Sequence, residues 1–589
     1  MHIVENKAIR AGKIYCYACE CLWDSSLKKY LKPSTAVGRL EGNPPSFVPN
    51  DYLTSLLLTH SNDPSSLDER SKRIIETVIA KYGVGVYDRI RAPKDKTGVN
   101  SAQAVFIGPA LVLGGITRKY RIDNMLCKAF GNNTADEILA LAWYIASEGD
   151  ALSNSDSWLE HFENPAGCSM SSQDITRLLD SMHYDSIMFF YKQWLAAFKK
   201  VGDKVLYDLT SISYYGHGIN LAAWGHNRDN EALPQVNYAL LCLRSTAMPL
   251  FAWTLDGSIS DVATLTNTLQ FLDKLGYKPD CLLMDRGFAA EENITYMLRR
   301  KQTFLQALRV NPDWVKRVID AGRDERLLPE SKIKVENRTY YASTTQCRWV
   351  RQIRTREKGK SVEEVKVIPQ RGAYVSTEEN VEVLEQYGCT VHVLFCQDLI
   401  GNHWDRFMDE IGAERQRLEA DNEAQPKKEY RNYFIISKVK YARRRLVEYN
   451  LEKIKQHRNN YAGHICFITN DRTIGTASDA LREYSTRDYI EKDFDEMKND
   501  LDMGRIRVHT DGRMAARLFV QFIAEIFMRE IRVCMNGSDD CKKLTRSQVF
   551  NHIKAIYKVK FKGKYKDIYP ALSKTQRSIL KALGIRAPG

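Results

Sequence analysis

The sequence predicts a multidomain α+β protein with a mixed β-sheet flanked by helices, a long insertion within that sheet domain, and a helical region before it. Up to about residue 200 many apolar residues recur every three or four positions, as in helices. Beyond residue 200 short apolar strands alternate with amphipathic helices. A strongly charged stretch of mixed pattern over 311–461 then separates these elements from a further apolar strand. Together these three observations favour an interrupted sheet domain.

The N-terminal part divides into two segments. Residues 1–42 carry short β-like runs, such as 14–22, and the proline- and asparagine-rich stretch 43–50 is typical of a linker. Residues 51–200 have helical periodicity, clearest at 135–145 and 175–182. A group of helices in a basic protein is a candidate DNA-binding region. A purely structural helical domain explains the pattern equally well.

The first part of the sheet domain, residues 201–310, is predicted from the order of its elements. Strands are expected at 204–209, 238–243, 249–255, 281–284 and 304–310, with helices at 262–275 and 290–300. The second and third strands are close enough to form a hairpin. This order is typical of a ribonuclease H-like core, in which the first and fourth strands lie side by side.

The rest of the chain is predicted as an inserted subdomain (311–461), the second part of the core (462–540) and a basic C-terminal region (541–589). The second part holds a strand at 464–469, a long helix at 476–500 and a buried helix at 511–534. Thr476 and Asp479 have the spacing of a capping box, which marks the start of the long helix.

Composition limits the class of protein. The chain has 589 residues, 44% of them hydrophobic, and a net charge of +13. A basic balance favours a polyanionic partner such as nucleic acid, although only weakly. The odd number of cysteines, 13, is typical of a reducing compartment. No apolar stretch reaches the length of a membrane span, and residues 1–12 contain no apolar run of the kind found in secretory signals. We therefore expect a cytoplasmic protein.

Two acidic residues follow apolar strands. Asp208 closes the first strand in Val-Leu-Tyr-Asp, and Asp285 closes the fourth in Leu-Leu-Met-Asp. If those strands are neighbours, the two carboxylates lie close together and repel each other unless a cation or a proton intervenes. Carboxylate oxygens are the ligands that Mg²⁺ prefers. Either aspartate alone could equally be a turn or capping residue.

A third acid is expected on the helix at 476–500. Tyr484, Arg487, Glu491 and Lys498 are spaced so that their side chains share one helical face. Glu491 could hold a metal there while the cations contact DNA phosphates. Asp488 and Asp495 lie on the same helix, and Asp495 is four residues from Glu491, so spacing alone does not exclude it.

These residues carry a resemblance. The pattern Tyr484-x2-Arg487-x3-Glu491-x6-Lys498 resembles the signature helix of DDE transposases of insertion-sequence family four and its close relatives. Asp208-Leu-Thr-Ser and Asp285-Arg-Gly-Phe resemble the segments around the other two acids of that family, and the match selects Glu491 as the third. The stretches Gln235-Val-Asn237 and Gly257-Ser-Ile-Ser-Asp261 also fall where relatives carry similar sequences.

The resemblance implies an enzyme that binds the ends of its insertion sequence, cuts them and joins the freed 3′ hydroxyl to target DNA. It implies that Asp208, Asp285 and Glu491 are catalytic and hold two Mg²⁺ ions, for which Mn²⁺ can substitute. Arg487 and Lys498 would contact phosphates near the cut, and Tyr484 would position the strand. Two ends must be paired, so a homodimer on double-stranded DNA, associated with the nucleoid, is expected.

Clusters of basic residues outside the signature are further candidate DNA contacts. The insertion carries Arg351 and Arg354 in one cluster and Arg444 in another, and lysines alternate with aromatic residues along the C-terminal region. Such clusters bind phosphates without reading sequence, but each can also be an ordinary solvated surface. Trp349 and Trp404 lie in the insertion and could receive a flipped base, or could simply belong to its core.

Two rival functions remain open at this stage. The chain could be a DNA-binding regulator derived from a transposase, without catalysis. It could also be a ribonuclease H-like nuclease that cuts DNA but does not join it. The three acids disfavour the regulator, and the insertion with its signature helix disfavours the simple nuclease.

Overall fold

The structure is a computed structural model, and it divides the chain into two compact units. One comprises 1–103 with 559–567, and the other comprises 104–558 with 568–589. The described residues are 1–7, 14–41, 45–83, 86–87, 103–199, 202–225, 231–259, 261–355, 361–369, 380–438, 445–487, 494, 498, 505–561 and 566–588. The division into six segments predicted from the sequence stays a prediction.

The first unit is a small antiparallel sheet covered by two helices. Its strands follow the order His2–Lys7, Ile14–Cys19, Ser34–Glu41 and Ser46–Pro49. A separate hairpin pairs Leu22–Asp24 with Lys29–Leu31. The helices Asp51–Asn62 and Glu69–Tyr82 bury an apolar stripe with the sheet, formed by Leu53, Leu57, Ile74, Ile75 and Val78. The β-like runs expected at the start of the chain are therefore confirmed.

The second unit is built on one large mixed sheet, in which the described residues form eleven strands. Its first five strands in the chain lie in the spatial order third, second, first, fourth, fifth. In that order they are Pro249–Asp256, Gln235–Leu243, Val205–Tyr214, Leu282–Met284 and Phe304–Leu308. The first and fourth strands are neighbours and run parallel, while the first three are antiparallel. An α+β fold with a mixed sheet is thus confirmed.

The elements predicted for this part of the chain are observed with small shifts of their ends. The helices are Asp261–Lys274 and Glu291–Arg299. The strand Val205–Tyr214 is longer than predicted, and all ten of its residues are buried. Hydrophobic patterning did not predict the second half of this strand, because that half contains polar residues. A strand that is buried on both faces can contain polar residues when they form hydrogen bonds inside the protein.

The insertion contributes strands to the same sheet. The predicted strand His464–Thr469 pairs with Phe304–Leu308 on one side and with Val381–Phe395 on the other. Arg338–Thr355 follows, flanked by Lys332–Val335 and Ser361–Pro369. The strands of the insertion therefore extend the sheet beyond its first five strands.

The remainder of the insertion packs around its own small core. A helix of 21 residues, Ile400–Ala420, is called the insertion helix below. It packs with the hairpin Phe434–Lys438 and Arg445–Tyr449 and with the helix Leu451–Asn460. Phe407, Ile411, Leu418, Tyr433 and Val447 are buried between these elements.

Helices cover the sheet. The predicted buried helix is observed as Asp511–Asn536, which packs on Pro249–Asp256 and on the helix Asn132–Glu148. The other helices of this unit are Gly108–Tyr120, Ile122–Phe130, Ser155–His161, Ser172–Ser181, Tyr184–Phe198, Asp313–Ala321, Arg323–Arg326, Arg546–Lys554 and Lys574–Ala582. Two short strands, Gln103–Phe106 and Tyr557–Lys560, and the two-residue strand Arg505–Ile506 complete the described elements.

The long helix predicted at 476–500 is interrupted by a turn in its described part. A helix with the predicted capping box between Thr476 and Asp479 spans Ala477–Ser485 and is called the signature helix below. Thr486 and Arg487 form a turn, in which the Arg487 amide donates to the Tyr484 carbonyl at 2.9 Å. Periodicity could not detect this end, because side chains three residues apart lie on one side of a turn as they do in a helix.

Among the helices that the structure describes, none combines the length and the apolar character needed to cross a membrane.

Candidate functional site

The site begins with two parallel strands of the sheet. Leu282, Leu283 and Met284 pair with Val205, Leu206 and Tyr207. The next residues along the two strands are Asp285 and Asp208. Apolar side chains fix this register by burial, and the register brings two acids to the same place. The prediction that both aspartates meet at adjacent strands is therefore confirmed.

Arg487 joins the two aspartates. Its Nη2 lies 3.2 Å from Asp208 Oδ2, and its Nη1 lies 3.4 Å from Asp285 Oδ1. The side chains of Asp208 and Arg487 are only 10% and 17% exposed. At such burial two like charges repel strongly, and the guanidinium between them removes that repulsion. The acidic pair is thus arranged around one positive charge.

Tyr484 completes the arrangement from the end of the signature helix. Its hydroxyl donates to Asp285 Oδ1 at 2.7 Å and accepts from Arg487 Nη1 at 3.2 Å. Burial, followed by the negative charge of Asp285, raises the pKa of Tyr484, so this phenol stays protonated and keeps donating. Its ring packs on Phe467, 5.0 Å away between centroids, which anchors the side chain to the sheet.

The charge state of Asp285 follows from opposing effects. Burial raises its pKa, while the charge of Arg487 and the hydrogen bond from Tyr484 lower it, and together they hold the pKa below its ordinary value. Asp285 is therefore an ionised carboxylate at neutral pH. The side-chain amide of Gln306, on the next strand, donates to the Asp285 backbone carbonyl and fixes the chain at this point.

The signature helix is held in place by a second group of charges. Glu483, beside Tyr484, pairs with Lys204 Nζ at 3.1 Å and with Arg244 Nε at 2.9 Å. Lys204 precedes the first strand, and it also lies 3.7 Å from Asp471. These ion pairs tie the helix to the sheet next to the acidic pair. They escaped sequence reasoning, because the four residues are far apart in the chain and belong to no shared motif.

Two stretches named with the resemblance have structural roles. The side-chain amides of Gln235 and Asn237 donate to the Gly257 carbonyl, at 3.2 and 3.4 Å. A Cβ on Gly257 would lie 1.8 Å from the Gln235 carbonyl oxygen, so no larger residue fits at this close approach. The polar stretch therefore fixes the turn that follows the third strand.

The other predicted site residues are only partly described. Glu491 and Arg444 lie outside the described residues. Lys498 has helical backbone and is half-buried. Arg351 pairs with Glu363 and, at 2.7 Å, with Glu385, while Arg354 pairs with Glu364 at 3.1 Å. These acids on neighbouring strands reduce the positive charge of both arginines, and their contact with DNA stays a prediction.

The two tryptophans differ in their surroundings. Trp349 is fully buried, donates from Nε1 to Thr295 Oγ1 at 3.0 Å, and packs edge-on against Trp314. A base cannot stack on a side chain that is closed on every side, so Trp349 belongs to the core. Trp404 is half-buried on the insertion helix, with the Arg458 guanidinium 5.2 Å from its ring centroid.

Comparison with known proteins matches residues 200–526 to the family described as transposase DDE domain. The chain belongs to the transposase DDE domain family. No curated protein matches the chain. Among solved structures, a cryo-electron-microscopy structure of a piggyBac transposase synaptic complex with hairpin DNA is similar at 10% identity. That similarity covers 76% of this chain and 79% of the other, with a TM-score of 0.34.

A DDE domain implies transposase catalysis, and DDE transposases generally use divalent metal ions. The chemical type of the side chains at this site suits such an ion. Two carboxylates provide hard oxygen donors, and the Arg487 guanidinium between them shows that the pair attracts positive charge. Among the described residues, no group of three potential metal ligands comes together. The predicted third ligand, Glu491, lies outside the described residues.

Proposed function

We propose that this protein is a transposase that binds the ends of its insertion sequence, cleaves DNA strands there and transfers them to target DNA. The observation that supports this best is the acidic pair Asp208 and Asp285 on neighbouring parallel strands, within a matched DDE domain. The strand order three, two, one, four, five supports a ribonuclease H-like core. The motifs around the acids favour insertion-sequence family four and its relatives.

In this proposal Asp208, Asp285 and Glu491 hold two Mg²⁺ ions, or Mn²⁺ in their place. Bound between the carboxylates and a scissile phosphate, such ions would activate a hydroxyl nucleophile and stabilise the leaving oxygen. The protein itself supplies the geometry. Tyr484 orients Asp285 through its hydrogen bond, and Arg487 forms ion pairs with both acids and lowers the pKa of Asp285.

DNA would be held by cations around this pair. Arg487 and Lys498 are proposed to contact phosphates near the cut, and Arg351, Arg354 and Arg444 to contact DNA farther away. For Arg487 this requires that its ion pairs with the acids loosen when metal binds, since a guanidinium and a metal ion compete for the same oxygens. The helical region at 51–200 is proposed to bind the transposon end, and a homodimer to pair two ends in the nucleoid.

The experiment is a cleavage and joining assay on a labelled duplex that carries one end of the element with its flanking DNA. The wild type, given Mg²⁺ or Mn²⁺, is expected to cut at the end and to form joined product with a target duplex. The Glu491→Gln variant is expected to bind the same duplex and to form neither product.

Other results would support the rival functions. Cutting without joined product under all metal conditions would favour a nuclease that lacks strand transfer. Binding without cutting by either protein would favour a DNA-binding regulator derived from a transposase.

A further inference from the structure

A cleft lies beside the acidic pair, between the core strands and the insertion helix. Its volume is about 930 Å³. Asp285, Tyr484 and Arg487 form one end of it, and the ends of the strands Phe304–Leu308 and His464–Thr469 form its floor. His403, Arg406 and Glu410 reach it from the insertion helix. The cleft therefore connects the site to the insertion.

Arginine and lysine outnumber acids in this cleft, by six residues to four. Each of the four acids has a partner. Asp285 pairs with Arg487, Glu414 with Arg417 at 2.7 Å, and Glu429 with Arg309 at 3.4 Å. The fourth acid, Glu410, accepts a hydrogen bond of 2.9 Å from the Tyr430 hydroxyl. Three of the four acids are thus ion-paired, and Glu410 keeps its charge.

Two of the cations are different. Arg286, directly after Asp285, and Arg406, on the insertion helix, are both half-buried, and neither forms an ion pair with a residue that the structure describes. Acids still act on them at longer range, since the charges of Glu410 and Asp285 oppose the lowering of the Arg406 pKa, and the charge of Arg286 helps to lower the pKa of Asp285. Both residues therefore place a guanidinium beside the acidic pair that is not engaged in an ion pair with a described residue.

His403 lies one helical turn before Arg406 and lines the same cleft. Burial, followed by the charges of Arg406 and Arg286, lowers the pKa of His403 to about 4. The pKa of Arg406 is also lowered, first by burial and then by Arg286. The three side chains are therefore near enough for each to feel the positive charge of its neighbours, and a neutral His403 can still donate one hydrogen bond.

We propose that Arg286, His403 and Arg406 form a binding site for a backbone phosphate of the DNA strand that enters the acidic pair. This rests on the proposed function, because it assigns the strand to the site of cleavage. A guanidinium binds a phosphate with two parallel hydrogen bonds, which fixes the direction of the strand as well as holding it. The insertion helix then positions the strand over Asp285.

The test is DNA binding without divalent metal, so that it does not depend on cleavage. A short fluorescein-labelled duplex with a single-stranded 3′ overhang is titrated with protein at several KCl concentrations, and fluorescence anisotropy gives the Kd. Arg406→Gln is expected to bind about tenfold more weakly, as loss of a charge-assisted hydrogen bond predicts. The slope of log Kd against log salt is expected to fall by about one.

Arg415→Gln is the matched control. Arg415 lies on the same helix, but it pairs with Glu419 at 2.8 Å and does not line the cleft. Its loss removes the same charge and is expected to change neither Kd nor slope. Equal effects of the two substitutions would overturn the proposal, because they would show only the general charge of the helix.

Two further variants keep this test separate from that of the proposed function. Asp285→Asn is expected to lose cleavage, and adding Arg406→Gln to it is expected to weaken binding by the same factor as in the wild type, so a failure to cleave leaves the phosphate site testable by binding alone. Arg406→Lys keeps the charge but not the paired hydrogen bonds, and is expected to bind with intermediate affinity. If Arg406→Gln and Arg406→Lys both fold and bind as the wild type does, with unchanged salt slope, the site is wrong.

Discussion

Buried carboxylates occur in two regions of this protein, and their surroundings are opposite. On two neighbouring parallel strands, Asp208 and Asp285 share one arginine, and Asp285 has a lowered pKa. In the long helix Asp511–Asn536, Glu525 is fully enclosed, and its carboxylate oxygens have no hydrogen-bond partner among the described residues. Burial raises the pKa of Glu525 to about 8, although the charge of Arg546 opposes this.

This difference shows that burial of an acid does not by itself indicate a functional site. Both regions place an acid at low exposure, but among the described residues the two parallel strands combine two acids, a shared arginine and an open cleft. A carboxyl that is protonated at neutral pH is a poor ligand for Mg²⁺, since the metal binds the ionised form. Glu525 is therefore a feature of the core, whereas the pair on the parallel strands is suited to bind a metal ion.

The largest effect is expected from removing an acid of the pair. Asp208→Asn and Asp285→Asn each lose an ionised oxygen ligand, and each is expected to reduce the rate of DNA cleavage by about a thousandfold or more. The rate is measured on a labelled transposon-end duplex. Asp273→Asn is the control, because Asp273 is paired with Arg300 at 2.7 Å away from the site. Wild-type rates in either site variant would show that the comparison assigns the chemistry to the wrong region.

The next effect concerns the pH dependence of stability. The folded-state pKa of Glu525, about 8, lies above its ordinary value of 4.5. The folded state therefore binds this proton more tightly, and stability falls as the pH rises from about 4.5 to about 8, by at most about 5 kcal/mol. Glu525→Gln removes this loss of stability. The melting temperature of the variant, relative to that of the wild type, should therefore rise as the pH is increased from about 4.5 to about 8.

Glu530, on the same helix, provides the control for this prediction. Burial raises its pKa, but hydrogen bonds from Lys119 and Tyr120 outweigh burial and lower it overall. Its stabilising contribution is therefore present above the ordinary pKa and is lost as the pH falls. Glu530→Gln should destabilise the protein at neutral pH. A Glu525→Gln variant that follows the same trend would contradict the difference drawn between paired and unpaired acids.

Arg487→Gln tests what holds the acidic pair together. Removing the guanidinium leaves two half-enclosed carboxylates facing each other, which is expected to destabilise the protein by about 3 kcal/mol without metal. Mg²⁺ or Mn²⁺ should then raise the melting temperature of the variant more than that of the wild type, because the ion no longer competes with Arg487. An equal metal effect in both proteins would mean that the acids do not hold the ion.

The smallest effect is expected from Tyr484→Phe. It removes one hydrogen bond to Asp285, worth about 1.5 kcal/mol for a charged acceptor. Because that bond lowers the pKa of Asp285, the pH at which stability is lost on acidification should move upward in the variant. Tyr461→Phe, which loses a 3.0 Å bond to Asp320, is the control and should leave DNA cleavage unchanged. A cleavage rate for Tyr484→Phe as high as that control would show that the bond does not position Asp285.

Sequence reasoning reached much of the fold and the centre of the site. Apolar runs located the strands that carry Asp208 and Asp285, and the fold class expected from the order of the elements predicted that these strands are neighbours, as observed. The capping box at Thr476 could also be predicted, because its geometry depends only on residues that are close together in the sequence.

What sequence reasoning missed depends on contacts between distant segments. The insertion was predicted as a separate subdomain, but His464–Thr469 pairs with Val381–Phe395 and carries the sheet into it. The charges around Glu483 and the cations of the cleft come from segments far apart in the chain. His403, Arg406 and Glu410 have the spacing of one helical face, which an ordinary solvent-exposed helix would also show. Their position in the cleft could therefore be recognised from the structure and not from the sequence.

The most direct test of the central claim is the identity of the third acid. DNA cleavage with Mn²⁺ is measured for Asp488→Asn, Glu491→Gln and Asp495→Asn, which change three acids of one segment without altering their size. Cleavage is expected to be lost in Glu491→Gln and retained in the other two. Retained cleavage in Glu491→Gln, with loss in Asp495→Asn or Asp488→Asn, would contradict the assignment of Glu491 as the partner of Asp208 and Asp285.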